Sequence, residues 1–194
     1  MPFFIEIGVC DFDTLLPLAD NGWEGILVEP MKYYMDKLPR KENIYYETSC
    51  ILPKSDIPDD KVVDIQYWDF DFIKTKGEEG KWMKGISSTD LHMNCFNANP
   101  QWNKYVKKTK INAISLDELI LKYNVKQIDF LKIDIEGKDF DILNDYSFDI
   151  KPRLIKLESK FLHHRGWSND TILTFFKKKG YIVYFEKNDL YAIR

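Results

Sequence analysis

The sequence predicts an α/β fold: a mostly parallel sheet, covered by helices on both faces and finished by a C-terminal antiparallel hairpin. Three observations carry this. Short apolar runs ending on an acid or a glycine alternate with helical patterns from the first residues on, and such alternation builds parallel sheets. The pattern returns in the second half, where Ile128-Asp129-Phe130-Leu131-Lys132-Ile133 runs into Asp134, Glu136 and Gly137. Finally, Tyr181-Ile182-Val183-Tyr184-Phe185-Glu186 and Asp189-Leu190-Tyr191-Ala192-Ile193 are separated only by Lys187-Asn188, a connection too short for parallel pairing.

The first strand is Phe3-Phe4-Ile5-Glu6-Ile7, ended by Gly8, and the acids of Asp11-Phe12-Asp13 then offer a helix cap. A short helix around residues 14–19 carries Pro17 and stops at Asn21-Gly22. The second strand, Gly25-Ile26-Leu27-Val28-Glu29, leads to Pro30, which suits the first turn of a helix with Tyr33, Tyr34 and Leu38 on its apolar side. A third strand is expected over residues 44–51. Residues 52–112 alternate polar turns with aromatic runs and hold no sustained helical period. We expect an irregular insertion there, a hairpin and mobile loops, with Trp68, Trp82 and Trp102 covering core more than lining a lid.

At Ser115 a capping box with Glu118, braced by Ile114 against Leu119, starts a helix that runs to about Tyr123. Beyond the strand into Asp134, the residues Phe140, Ile142 and Leu143 suggest a helix. The strand Arg153-Leu154-Ile155-Lys156-Leu157-Glu158 again ends on an acid. Ser168 then caps a helix that turns Ile172, Leu173, Phe175 and Phe176 inward, and Lys177-Lys178-Lys179-Gly180 closes it with cations at the negative end of its dipole.

The 194 residues fit one domain, 1–194. At 44% hydrophobic and 30% charged residues the composition is globular, and no apolar run approaches the roughly 20 residues that span a bilayer. The opening Met1-Pro2-Phe3-Phe4-Ile5 lacks the features of a signal peptide, so a cytoplasmic chain is expected. Cys10, Cys50 and Cys95 are widely spaced and odd in number, which suggests free thiols and neither a disulfide framework nor a zinc signature. A net charge of -3, with lysines scattered among acids, argues against a phosphate-tracking surface. The basic run from Lys104 to Lys110 reads as solvated surface.

In open parallel sheets, ligands bind beyond the carboxyl ends of the strands, where strand order reverses. Four strand ends here are acidic: Glu6, Glu29, Asp134 and Glu158. The separation of Glu29 from the first glycine turn suits the two hydroxyls of a ribose. Two cofactors offer one, a nicotinamide dinucleotide and S-adenosylmethionine. A pyrophosphate needs close backbone approach and three glycines, whereas Gly8 stands alone, with Cys10, Asp11 and Asp13 in place of the rest. Acids repel a pyrophosphate and attract an ammonium or sulfonium, by roughly 4 kcal/mol at about 4 Å and an effective dielectric near 20, before desolvation. The turn therefore favours S-adenosylmethionine.

Candidate cofactor-binding residues are Glu6, Gly8, Asp11, Glu29, Pro30, Ser49, Cys50 and Asp134. Deprotonating an acceptor hydroxyl calls for a base, for which Asp134 ranks first by position and His163, beside His164, second by its ordinary pKa. Asp134, Glu136, Glu158 and His163 are of types that suit a divalent cation, yet no spacing demands one, and no metal is expected.

The blocks Phe4-Ile5-Glu6-Ile7-Gly8 with Asp11-Phe12-Asp13-Thr14-Leu15, Gly25-Ile26-Leu27-Val28-Glu29-Pro30, Ser115-Leu116-Asp117-Glu118-Leu119 and Asp129-Phe130-Leu131-Lys132-Ile133-Asp134-Ile135-Glu136-Gly137 together resemble the FkbM-type methyltransferase family over nearly the whole chain. The last block is the most specific. The resemblance implies a class I, Rossmann-like sheet of seven strands, S-adenosylmethionine as donor, and O-methylation of a hydroxyl, often on a sugar or natural product. It also implies that Glu6, Gly8, Glu29 and Asp134 face the cofactor. Two features depart from the pattern: Gly8-Val9-Cys10 lacks the second small residue, and the first strand begins almost at Met1, as in a minimal enzyme or one module of a larger glycan-processing chain. The expected partner is a small-molecule or glycan hydroxyl, with no nucleic acid and no membrane. The alternatives are an NAD(P)-dependent oxidoreductase and a non-catalytic cofactor-binding module.

Overall fold

The computed structural model describes residues 1–11, 14–89, 96, 100–135, 137–160 and 162–194. Phe12 and Asp13 of the expected cap, Cys95, Phe161 and Glu136 lie outside the described residues, as does the side chain of His164. In chain order the elements begin with β1 (Phe3–Ile7), β2 (Glu24–Val28), α1 (Lys32–Met35), β3 (Ile44–Glu47) and β4 (Cys50–Ile51). The middle of the chain holds β5 (Val62–Trp68), α2 (Phe70–Lys76), β6 (Ser87–Ser88), β7 (Val106–Ile114) and α3 (Leu116–Lys122). Then follow β8 (Phe130–Ile133), α4 (Asp139–Asp145), β9 (Leu154–Glu158), α5 (Asn169–Lys179), β10 (Ile182–Glu186) and β11 (Asp189–Ile193). Among the described residues no helix is long and apolar enough to cross a membrane.

Seven strands form the main sheet in the order β10-β11-β9-β8-β1-β2-β3. The strands from β3 to β9 run parallel, and β11 lies antiparallel to both β9 and β10, which is the expected terminal hairpin. Chain progress is outward from β1 to β3 on one side and outward from β8 on the other. The strand order therefore reverses between β1 and β8, and a crevice opens at their carboxyl ends. This is the seven-stranded sheet that the family resemblance implies.

Alternation along the strands divides the core. Ile5, Ile7, Leu131, Ile133, Ile155 and Leu157 pack with Leu116, Phe140, Ile172 and Phe176 from α3, α4 and α5. On the opposite face Phe4 and Leu27 pack with Leu16, Ala19, Met35 and Leu38. The sequence predicts helices over both faces, but the cover is incomplete at β10, an edge strand with Ile182 and Tyr184 exposed. Leu173 is also exposed, because the inward stripe of α5 is Ile172 and Phe176. The caps follow the sequence pattern. Glu118 donates its amide to Ser115 Oγ at 3.2 Å while Glu118 Oε2 accepts the Ser115 amide at 2.8 Å, and Gly180 ends α5 at φ 89°.

Three readings change. The strand expected over residues 44–51 is two, because the carboxylate of Glu47 accepts both the amide and the hydroxyl of Ser49 and turns the chain out of the main sheet. Pro30 precedes its helix rather than opening it, since Met31 is the cap and donates its amide to Glu29. The insertion is also more regular than expected. β4, β7, β5 and β6 form a second sheet, in which β5 and β7 pair from Val62↔Asn112 to Trp68↔Val106. Asp69 caps α2 by accepting the amides of Asp71 and Phe72. Trp68 is fully buried and packs with Phe72, Met83 and Phe96, so it is core; Trp82 is half exposed.

A buried ion pair crosses the switch point. Glu6 and Lys132 are register partners on β1 and β8, and Lys132 Nζ donates to Glu6 Oε1 at 2.9 Å with both side chains buried. Removing one member leaves a buried charge without compensation, a loss of about 3–5 kcal/mol. Urea unfolding should therefore show Lys132→Met destabilised by about that amount, and the Glu6→Gln, Lys132→Met double variant recovering part of it. Strict additivity of the two substitutions would show that the pair is not coupled.

Candidate active site

A cavity opens over the carboxyl ends of β1, β2 and β8. Its lining comes from Ile7, Gly8, Val9 and Cys10 at the end of β1, Val28, Glu29 and Pro30 at β2, residues 49–52 around β4, and Lys132, Asp134, Ile135, Gly137 and Lys138 around the end of β8. Ile65 of β5 and Ser87 and Ser88 of β6 close it from the second sheet, with Lys84, Gly85 and Thr89 flanking β6, and Arg165 reaches it from beyond β9.

The turn after β1 depends on Gly8. It has φ 85°, in the left-handed region, and donates its amide to Val28 O at 2.9 Å. A Cβ on Gly8 would stand 1.8 Å from the carbonyl oxygen of Asp134, so only glycine lets the β1 and β8 loops meet. Glu29 then fastens the same turn: Oε2 accepts the Cys10 amide and Oε1 the Met31 amide, each at 2.8 Å. Burial pushes its carboxyl up to about 7, helped by the charge of Asp11 and opposed by those two amides.

The candidate residues divide by position. Gly8, Glu29, Pro30, Ser49, Cys50 and Asp134 all line the cavity. Glu6 lies outside the lining, with Oε2 accepting Thr14 Oγ1 and the Leu15 amide, both at 2.7 Å, and Oε1 bound to Lys132. Asp11 also lies outside the lining. Burial works to raise its carboxyl, but Lys84 at 2.6 Å and Lys37 at 3.1 Å outweigh it and hold the group below its usual range. The acid predicted to draw in a cation is already neutralised by two lysines. Burial also pushes the Cys50 thiol up to about 12, so it stays protonated. His163 is exposed and off the lining, and the half-buried Glu158 is off it too, while Arg165, two residues beyond His163, is on it. Among the described residues no group of three or more His, Cys, Asp or Glu is placed to hold a metal ion.

Sequence reasoning passed over Asp139, the first residue of α4. Its side chain is buried, with Oδ1 accepting the Ile135 amide at 3.2 Å and Oδ2 the Gly137 amide at 3.0 Å. Burial pushes this carboxyl up to about 7, against the pull of the amides and with a contribution from the charge of Asp134. The available signal was an acid two residues after a glycine that ends an acidic strand. Lys84 and Lys138 were missed as well; Lys138 pairs with Asp56 at 2.5 Å and so ties the cavity wall to the turn after β4.

Both raised carboxyls bear on stability. Unfolded carboxyls titrate near pH 4, so between about pH 4.5 and 7 the folded chain holds protons at Glu29 and Asp139 that the unfolded chain has released. Stability therefore increases as pH falls from 8 to about 5.5, and declines as pH rises through about 7. The urea midpoint should climb on this acidification, and the Glu29→Gln, Asp139→Asn double variant should lose the slope. A midpoint that falls over the same window in the unsubstituted chain would rule out both shifts.

Comparison with known proteins places this geometry. The Methyltransferase FkbM domain model matches residues 6–183, from within β1 to within β10. No curated protein sequence matches. Among solved structures, a chain of the fibrillarin/Nop5p complex is similar at 12% identity and a TM-score of 0.45, over 100% of this chain and 72% of that one. With a family match that spans all but the two ends and a sheet of the expected order, the chain belongs to the FkbM methyltransferase family and is an S-adenosylmethionine-dependent methyltransferase.

Proposed function

We propose that the chain methylates a hydroxyl of a sugar or glycan, acting in the cytoplasm as one domain over residues 1–194. The observation that carries this reading is the composition of the cavity wall. Ser87 and Ser88 of the second sheet and Thr89 beside them line the same cavity as Asp134, so hydroxyls and a carboxylate surround the acceptor side, as a polyol requires. On the other side, Gly8 gives the backbone close approach and Glu29 presents carboxylate oxygens for ribose hydroxyls, with Pro30, Ser49 and Cys50 completing the cofactor wall. Bound S-adenosylmethionine supplies the methyl group from its sulfonium.

Methyl transfer is an in-line displacement, and the protein's principal task is to hold the acceptor oxygen about 3–3.5 Å from the methyl carbon. Asp134 accepts the acceptor's hydroxyl proton in this reading, a contribution of about a hundredfold to ten-thousandfold. His163 is set aside as the base because its side chain is exposed and off the cavity. The family assignment removes the nicotinamide oxidoreductase alternative. A non-catalytic module remains as an outcome of the test.

Calorimetry with S-adenosylhomocysteine should show saturable binding, and transfer of a labelled methyl group should follow with at least one member of a panel of neutral and acidic glycosides. Binding without transfer to any member would instead favour the non-catalytic module. Asp134→Ala should lower kcat by about a hundredfold or more while leaving the fold intact.

A further inference from the structure

Asp139 is buried, titratable and outside the cavity lining, and its carboxylate faces inward to the loop that lines it. The loop of residues 134–138 leaves β8 with the Asp134 amide bonded to Ile7 O at 2.9 Å, so its first residue is fixed to β1. Ile135 and Gly137 beyond it have a second anchor. The amides of Ile135 and Gly137 converge on the two oxygens of Asp139, and Ile135, Gly137 and Lys138 all line the cavity beside Asp134. A carboxylate is the side chain that accepts at both positions; an amide offers one acceptor and turns a donor toward the second N–H.

We propose that Asp139 is a positioning residue for methyl transfer, gripping the Ile135 and Gly137 amides so that the 134–138 loop holds Asp134 against the acceptor. This rests on the reading of Asp134 as the group that meets the acceptor hydroxyl. The residue acts through the loop and touches neither donor nor acceptor. A displacement of the loop by about 1 Å is enough to cost about a hundredfold in rate. Gly8 and Glu29 have hydrogen bonds of their own, Gly8 to Val28 and Glu29 to the amides of Cys10 and Met31.

The test compares Asp139→Asn with Asp139→Glu, which keeps two acceptor oxygens on a longer arm. Hydrogen exchange over residues 134–138 and S-adenosylhomocysteine affinity are measured on each, together with kcat and KM for the acceptor found in the glycoside panel. In Asp139→Asn, exchange over 134–138 should be about tenfold faster or more, and kcat lower by between about tenfold and a hundredfold. KM and S-adenosylhomocysteine affinity should stay within about threefold, and Asp139→Glu should regain part of the lost kcat. Unchanged kcat in a folded Asp139→Asn would overturn the proposal, as would kcat, cofactor affinity and melting temperature falling in step, the mark of a purely structural role. Unchanged exchange over 134–138 overturns it whether or not an acceptor has been found. A failed glycoside panel with faster exchange over the loop in Asp139→Asn counts against the hydroxyl reading and leaves the grip of Asp139 on the loop standing; unchanged exchange counts against the grip itself.

Discussion

The meeting of two loops over β1 and β8 is the constraint on which the site depends. Gly8 passes so close to the Asp134 carbonyl that no side chain fits between them. That contact brings the turn after β1 and the loop after β8 to one point above the strand reversal. Two residues back on each side, Glu6 and Lys132 bond across the same pair. The buried ion pair specifies which residues of β1 and β8 lie side by side, because any other register strands a charge in the core. The polar register below and the glycine contact above thus fix the same junction twice.

Much of the fold was legible because its local signals are self-contained. Ser115 with Glu118, Ser168, Gly180 and the two-residue connection at Lys187-Asn188 each act within a few residues, and each appears where the pattern places it. The readings that changed involve choices between neighbours. Glu47 and Ser49 look like ordinary strand residues until the carboxylate folds back on the serine. The insertion hides its sheet because β5 and β7 pair across about forty residues of intervening chain, and no periodicity within either strand announces a partner so distant.

The site divides along the same line. Gly8, Glu29 and Asp134 reach the cavity because a parallel strand delivers whatever follows it to one edge of the sheet, and strand ends can be read. Glu6 is inside its strand, where direction depends on parity and on what the neighbouring strand offers; Lys132 was the missing fact. Asp11 belongs to the turn by sequence, yet Lys37 and Lys84 arrive from α1's far end and from beside β6 to neutralise it. Asp139 was passed over for a different reason. It resembles any acid in the first turn of a helix, and its distinction lies in facing backward to the loop instead of forward to its own helix.

The position of β11 also shapes how the molecule is made. The strand translated last of the seven sits between β9 and β10, as an inner member of the sheet. While residues 189–193 are still within the ribosome, β9 has an unpaired edge and β10 has no place in the sheet. The apolar and aromatic side chains Leu190, Ala192, Ile182 and Tyr184 belong to a sheet margin that cannot yet close. The half of the sheet around β1 and β8 has no such wait. Biosynthesis therefore completes the half that carries the cavity first and leaves the far margin as the interval in which a nascent chain needs protection from its neighbours.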